Sequence, residues 1–287
     1  MSESDTIAAA GVRRSLGLNL PLVIGAAGVA IFVASALAAP WLAPYSPEAM
    51  QVKSRLMSWS AAHLLGTDEY GRDTLSRLLH GGRISLLVST LSVGIGVIGG
   101  GFIGMAAGYR GGWVDALLMR AMDLVFSFPA VLLAIVIMAT LGSSTQNAMI
   151  AIGIIFIPGF ARFSRALTRS VMVEQFIAYA KSTGMPFLRV LGRDVLPNVL
   201  PGLIVQAMLA VGYAVTLEAG LSFLGLGTQP PTPTWGNMID AGRGYMSRQP
   251  LMVIAPAVAI FFVVLATNLL ADGLQIRRNG NQSKGAF

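Results

Sequence analysis

Long stretches without a charged residue constrain this chain more than any other feature of its sequence. No Asp, Glu, Lys or Arg occurs between Arg14 and Glu48, between Arg83 and Arg110, or between Asp123 and Arg162. A helix needs about 20 apolar residues to cross a bilayer. Since 54% of the residues are hydrophobic and only 11% are charged, we expect an all-α integral membrane protein, not a water-soluble domain.

The charge-free runs predict about six transmembrane helices. Their expected positions are Leu20–Leu42, Arg83–Arg110, two helices on either side of the polar turn Gly142–Asn147, Val199–Ser222 and Leu251–Ala271. The predicted organisation is an N-terminal tail (1–19), a first helix (20–42), an extracytoplasmic segment (43–82), a five-helix core (83–273) that includes the loop 162–198, and a C-terminal tail (274–287).

The first span also has features of a secretory signal peptide. Arg13 and Arg14 precede it, and Ala36–Ala38 has the small-x-small form of a cleavage site. Its apolar core is longer than the usual 7 to 15 residues of such a signal. We therefore expect the span to be retained as a transmembrane helix, with cleavage as the alternative.

The basic residues predict the orientation. If the N-terminus is cytoplasmic, thirteen of the 20 lysines and arginines lie on the cytoplasmic side, which favours two cytoplasmic termini. These residues are scattered at the edges of apolar runs, so the net charge of +7 indicates membrane anchoring and no nucleic-acid partner. This orientation places the 162–198 loop in the cytoplasm, between the fourth and fifth helices.

The 162–198 loop is a charged, amphipathic interruption of an otherwise apolar chain. Its apolar residues at helical spacing are Val173, Phe176, Ile177, Ala180 and Gly184. Gly184 followed by Pro186 predicts the end of one short helix and the start of a second. A helix with one apolar face outside the bilayer is suited to docking on a protein. We expect that a glycine is needed at position 184 because the bend between the two short helices leaves no room for a side chain.

Two further segments on the opposite side are open to more than one interpretation. Asp68, Arg72 and Asp73 in the 43–82 segment indicate either local ion pairs in a solvated loop or a docking surface for a partner. Residues 223–250 are too rich in Gly and Pro for one regular helix. They are expected to cover the mouth of a pore or to form an ordered connector.

Within the spans, small residues and one acid are notable. Gly repeats every fourth residue at Gly96, Gly100, Gly104 and Gly108, which predicts close helix packing. Glu218 is the one acid well inside a predicted span. Acids at such depth usually face the protein interior or a water-filled cavity. Glu218 is therefore a candidate pathway residue, with pairing to a neighbouring helix or reaching to the membrane boundary as alternatives.

Catalytic and cofactor motifs are missing from the sequence. The Lys-Ser pairs at Lys53 and Lys181 lack the glycines of a phosphate-binding loop, so no ATP site is expected in this chain. The chain has two histidines, His63 and His80, and no cysteine. A histidine or thiolate metal site and a cysteine nucleophile are thus not expected.

Several motifs resemble one family. Ala178-Tyr179-Ala180, Gly184 and Asp194-Val195-Leu196-Pro197 are spaced as in the EAA loop of bacterial ABC importer permeases. The resemblance extends to the C-type subunit of the dipeptide/oligopeptide/nickel permeases through His63–Arg83, residues 107–123, Phe223–Ile239 and Asp272-Gly273-Leu274. It covers most of the chain from about Ala43 to Leu274. The pattern departs at Ala178, where the family has Glu, at Tyr179, where it has Ala, and at Asp194, where it has Ile.

The resemblance implies a permease subunit of the bacterial inner membrane that performs no bond chemistry. Its implied partners are a homologous B-type permease, two cytoplasmic ATPase subunits that hold ATP and Mg, and an extracytoplasmic solute-binding protein. The ATPase-docking residues implied are Phe176, Ile177, Ala178, Ala180, Lys181, Gly184, Met185, Leu188, Leu196 and Pro197. Peptide is the expected solute, and glutathione-like compounds, opines and nickel chelates are the alternatives. The alternatives are an ATP-independent transporter or channel, and a membrane scaffold.

Overall fold

The computed structural model describes residues 19–282 and is helical apart from one isolated bridge between Thr67 and Asp73. Most of the predicted N-terminal tail and residues 283–287 lie outside the described residues. In chain order the helices are α1 Leu20–Leu37, α2 Ala39–Leu42, α3 Thr74–Arg110, α4 Gly112–Phe126, α5 Ala130–Leu141, α6 Thr145–Val171, α7 Gln175–Ser182, α8 Phe187–Val190, α9 Leu196–Phe223, α10 Trp235–Arg243 and α11 Leu251–Gln282.

Five helical stretches in the described residues are long and apolar enough to cross a membrane. A sixth span is formed if α4 and α5 are counted together, although they meet at an angle of 85°. Pro129 lies at this bend, where its missing N–H and its restriction on Phe128 interrupt the helix. The all-α membrane fold with five to six candidate spans is confirmed, and the bent pair of α4 and α5 forms a broken third span or a re-entrant loop.

Helix α3 begins nine residues before the expected start of the second span at Arg83. The side chain of Asp73 accepts a hydrogen bond from the backbone N–H of Ser76 and caps the helix. At 1.5 Å per residue, its 37 residues extend roughly 55 Å, which exceeds the bilayer core. The helix thus starts inside the predicted 43–82 segment, since charged residues in its first turns lie beyond the apolar part of the same helix. The predicted C-terminal tail likewise begins too early, because α11 continues to Gln282.

Helices α3 and α6 pack together along the predicted glycine face. A methyl group on Gly100 would lie 2.4 Å from the carbonyl oxygen of Ile157, and one on Gly104 would lie 2.2 Å from that of Ala161. Ser92 and Ser164 add hydrogen bonds of 2.9 Å across the pair, to Met149 and Gly101 respectively. The two backbones touch because these positions have no side chain.

Several charged side chains of the 43–82 segment are buried in a network within the segment. Asp68 accepts hydrogen bonds from Arg72 at 2.6 Å and from the backbone of Tyr70 at 2.9 Å. Asp73 accepts from Ser76 and pairs with Nδ1 of His63 at 2.9 Å. Desolvation by burial raises the pKa of the neighbouring Glu69 carboxyl.

Residues 224–250 form an ordered connector on the same end of the molecule. Thr234 and Asn237 make a reciprocal capping box at the start of α10. The indole N–H of Trp235 donates to the carbonyl of Leu78 at 2.9 Å, and Gln249 donates to the carbonyl of Met57. The connector thus ties α9 and α11 to α3 and to the 43–82 segment.

Candidate functional site

The 162–198 loop projects from the ends of α3, α6 and α9. Helix α7 ends where Gly184 adopts a φ of +70°. The N–H of Gly184 donates to the carbonyl of Lys181 at 3.1 Å, and the N–H of Met185 donates to that of Ala180 at 3.4 Å. These two bonds form a Schellman motif, which satisfies carbonyls that a helix end would otherwise leave free. Pro186 then precedes α8.

The reason we expected for Gly184 was wrong. No atom lies within 4 Å of the position that a Cβ on Gly184 would occupy. The bend therefore leaves ample room for a side chain. Its positive φ is the physical requirement, because L-residues with a Cβ are strained in the left-handed region.

The second arm of the loop is continuous with a membrane-spanning helix. Phe187–Val190 runs through a π-helical turn at Leu191–Val195 directly into α9. We had expected a separate short helix. The whole stretch Phe187–Phe223 is therefore one continuous helical run that includes the second arm of the loop.

Helix α7 packs against its own protein through two residues that we expected to contact a partner. Ile177 is 0% exposed and Ala180 is 3% exposed, and both belong to the main hydrophobic core. Direct docking through Ile177 and Ala180 is thus incompatible with this structure. They hold the loop against the helix bundle, together with the buried Val190 and Leu191.

The opposite side of the loop leaves large apolar residues in solvent. Val173 is 84% exposed, Tyr179 70%, Leu188 68% and Phe176 43%. Among the other residues expected to dock, Ala178, Lys181, Gly184 and Pro197 are exposed, whereas Met185 and Leu196 are half-buried. An apolar surface of this kind outside the membrane-spanning helices is typical of a protein interaction site.

Contacts with the end of α3 fix the orientation of the loop. The rings of Tyr109 and Phe187 meet edge-to-face with centroids 5.0 Å apart. The guanidinium of Arg110 lies 4.8 Å from the centroid of Phe187, and the ammonium of Lys181 lies 5.0 Å from that of Tyr109. These contacts attach both arms of the loop to the end of α3.

An ion cluster beside the loop was missed at the sequence level. The buried carboxylate of Asp115 on α4 is paired with Arg165 and Arg169 on α6, with 2.5 Å between Oδ2 of Asp115 and Nη2 of Arg165. The i, i+4 spacing of the two arginines places them on one helix face and was the available signal. The cluster joins α4 to the last turns of α6, which form the first part of the 162–198 loop.

The candidates for binding-protein docking are buried. Asp68 and Arg72 are each 4% exposed and Asp73 is 2% exposed. These side chains bond to one another and to the start of α3. The local ion pairs of the alternative interpretation are present, but in a buried network and not in a solvated loop, and a docking role for these residues stays a prediction.

The candidate pathway residue Glu218 is also enclosed. Its side chain is 1% exposed, accepts a hydrogen bond of 2.7 Å from Ser222 and lies 3.5 Å from the hydroxyl of Ser85 on α3. Of the three interpretations open at the sequence level, pairing with a neighbouring helix is the one that this geometry fits. A pathway role for Glu218 stays a prediction.

The fold is that of a multi-spanning membrane protein, with exposed apolar residues on the loop between α6 and α9. Residues 100–278 match the family described as the inner membrane component of binding-protein-dependent transport systems. The chain belongs to this family and is a permease subunit of an ABC importer.

Relatives with assigned names cover most of the chain. It is 40% identical over 262 residues to the dipeptide transport system permease protein DppC of Alkalihalophilus pseudofirmus, which covers 91% of this chain and 86% of that protein. It is 42% identical over 252 residues to the di/tripeptide transport system permease protein DppC of Pseudomonas aeruginosa, covering 85% and 83%. It is 42% identical over 248 residues to the glutathione transport system permease protein GsiD of Pectobacterium atrosepticum, covering 86% and 82%.

A solved structure supports the fold. The MetNI methionine ABC transporter in an inward-facing conformation matches with a TM-score of 0.51 and 16% identity, covering 70% of this chain and 97% of that chain. At this level of identity the match concerns the fold alone.

Proposed function

We propose that this subunit forms half of an ATP-driven translocation pathway for short peptides and receives its motion through the exposed side of the 162–198 loop. One observation carries the proposal: Val173, Phe176, Tyr179 and Leu188 are exposed on a loop whose opposite side is packed into the core. Covering these residues with a partner contributes favourable free energy to binding, since burial of apolar area is the main favourable term in association.

The partner on this surface is a cytoplasmic ATPase subunit in our proposal. The chain contains no phosphate-binding loop of its own, so the nucleotide and Mg would be held by two such ATPases, and this subunit would be non-catalytic. ATP-driven closure of the ATPases would draw the loop with it. Because Phe187–Phe223 is one helical stretch, α9 would tilt as a lever and change the side on which the pathway is open.

Docking is proposed to depend on shape and apolar contact. The family's glutamate is replaced by Ala178, which is exposed, so no carboxylate is available at that position. The neighbouring Tyr179 and the facing Leu188 offer aromatic and aliphatic area instead. Aromatic anchors are frequent among the residues that dominate binding energies.

Short peptides are the proposed solutes. The names of three relatives refer to dipeptide, di/tripeptide and glutathione transport, and glutathione is itself a tripeptide. A homologous permease would supply the other half of the pathway, and an extracytoplasmic binding protein would deliver the solute. The subunit would lie in the bacterial inner membrane with both termini in the cytoplasm, in accordance with the distribution of Lys and Arg.

Reconstitution tests the proposal. Proteoliposomes that contain this subunit, its companion permease, both ATPases and the binding protein should take up labelled di- and tripeptides only with ATP inside. Omission of the ATPases should abolish uptake. Uptake that persists without ATPases would identify an ATP-independent transporter, and preference for a nickel chelate over all peptides tested would overturn the substrate class.

A further inference from the structure

A groove of about 570 Å³ lies between the start of α9 and the end of α11, next to the 162–198 loop. Pro197, Pro201 and Ile204 form much of its apolar wall, and Arg277 and Arg278 lie at its other side. An apolar wall beside two guanidinium groups matches the two chemical parts of an anionic phospholipid.

The side chain of Arg278 reaches a glycine on the neighbouring helix. A methyl group on Gly202 would lie 3.0 Å from Nη1 of Arg278. The arginine therefore crosses from α11 to α9 over a site that has no side chain. A guanidinium at this position offers a planar set of donors for bidentate contact with a phosphate.

The depth of the two arginines agrees with a lipid headgroup. Arg277 follows the start of α11 at Leu251 by 26 residues, which is roughly 39 Å along a helix. The hydrocarbon core of a bilayer is about 30 Å thick, so Arg277 and Arg278 reach the headgroup level on the loop side. Ile204, two turns into α9, lies at the level of the acyl chains.

We propose that this groove binds an anionic phospholipid of the leaflet on the loop side. Arg277 and Arg278 contact its phosphate group, and its acyl chains lie along Pro201 and Ile204. Basic pockets between transmembrane helices are suited to anionic headgroups. The lipid would also touch Pro197, where the π-helical turn joins α9, and would stiffen the connection between the loop and the span.

Native mass spectrometry of the detergent-purified transporter tests this site. Wild-type protein, an R277Q/R278Q variant and an R189Q/R193Q control are each titrated with phosphatidylglycerol and with phosphatidylcholine. The control removes two exposed arginines from the same side of the membrane without touching the groove. We expect wild type and control to retain phosphatidylglycerol preferentially, and R277Q/R278Q to lose that preference by roughly tenfold or more.

Three results would overturn the proposal. The first is that R277Q/R278Q retains phosphatidylglycerol as well as the wild type does. Inorganic phosphate alone would stabilise the wild type as much as the lipid does, which would indicate a free-anion site. R277Q/R278Q would release an ATPase subunit while its lipid binding is unchanged, which would identify the groove as a protein contact. Thermal unfolding of each variant, measured at equal lipid content, shows whether that variant folds. If R277Q/R278Q does not fold, the single variant R277Q is tested in its place.

Discussion

The 43–82 segment and the 162–198 loop are the two charged interruptions of an apolar chain, yet they distribute their side chains in opposite ways. The 43–82 segment buries Asp68, Arg72 and Asp73 in a network of its own. The 162–198 loop exposes Tyr179 and Leu188. The first pairs these charged side chains within its own fold, whereas the second leaves apolar area that a partner can cover. A charged sequence island is thus no sign by itself of a binding surface.

The largest effect is expected in the 43–82 segment. The D68A variant removes the carboxylate that pairs with Arg72 at 2.6 Å and with Arg77 at 3.5 Å, so two buried guanidinium groups each lose one charged partner. Breaking a buried pair costs about 3–5 kcal/mol. Thermal unfolding in detergent should show this loss. The K53Q variant, at an exposed position of the same segment, should unfold like the wild type; equal behaviour of both variants would contradict the comparison.

A pair of loop variants separates its two sides. The I177A variant should lower stability by about 2–5 kcal/mol, because Ile177 is fully buried. The L188S variant should leave the unfolding temperature unchanged and weaken retention of the ATPase subunit by about 2 kcal/mol, roughly thirtyfold. Pull-down and thermal unfolding measure the two effects. The comparison fails if L188S destabilises the fold, or if only I177A affects ATPase retention.

The requirement at Gly184 should follow backbone conformation and be independent of side-chain size. Replacement by Ala or Val forces a Cβ into a φ of +70°, at a cost of about 1–2 kcal/mol. Asn is larger than Ala but adopts this region more readily, so G184N should couple ATP hydrolysis to uptake better than G184A. Uptake that decreases strictly with side-chain volume would show that a partner fills the space beside Gly184.

The smallest effect is expected for the polar contact of the loop. The ammonium of Lys181 lies 5.0 Å from the ring of Tyr109, and such exposed cation–π contacts contribute about 0.5–1 kcal/mol. The K181Q variant should therefore shift the free energy of unfolding by less than about 1 kcal/mol. A loss of stability as large as that of D68A would mean that charged contacts stabilise the loop as strongly as they stabilise the 43–82 segment.

Features that depend on local composition were predicted well from the sequence. The charge-free runs located the spans, and the Gly100 and Gly104 spacing located the face that packs on α6. The Gly184 and Pro186 pair predicted the end of α7. These signals act over a few residues, so tertiary packing does not need to be known.

Features that depend on distant contacts were not predictable in the same way. The periodicity of α7 identifies an apolar side, but not whether that side meets the same chain or a partner; Ile177 meets the same chain. The burial of Arg77 depends on the carbonyls of Pro47 and Pro231, at 3.1 Å and 3.4 Å, the second of which is 154 residues away. Helix α3 exceeds its apolar stretch because Asp73 caps it from the 43–82 segment.

Cysteine crosslinking tests most directly the claim that the exposed side of the loop docks an ATPase. The chain has no native cysteine, so single-cysteine variants carry no background. Leu188 is 68% exposed on the loop, and Leu64 is 49% exposed on the 43–82 segment. With a thiol-attached photocrosslinker, the L188C variant of the assembled transporter should be joined to an ATPase subunit, and the L64C variant should not. An L188C transporter that takes up peptide with ATP but never crosslinks to an ATPase would contradict the account.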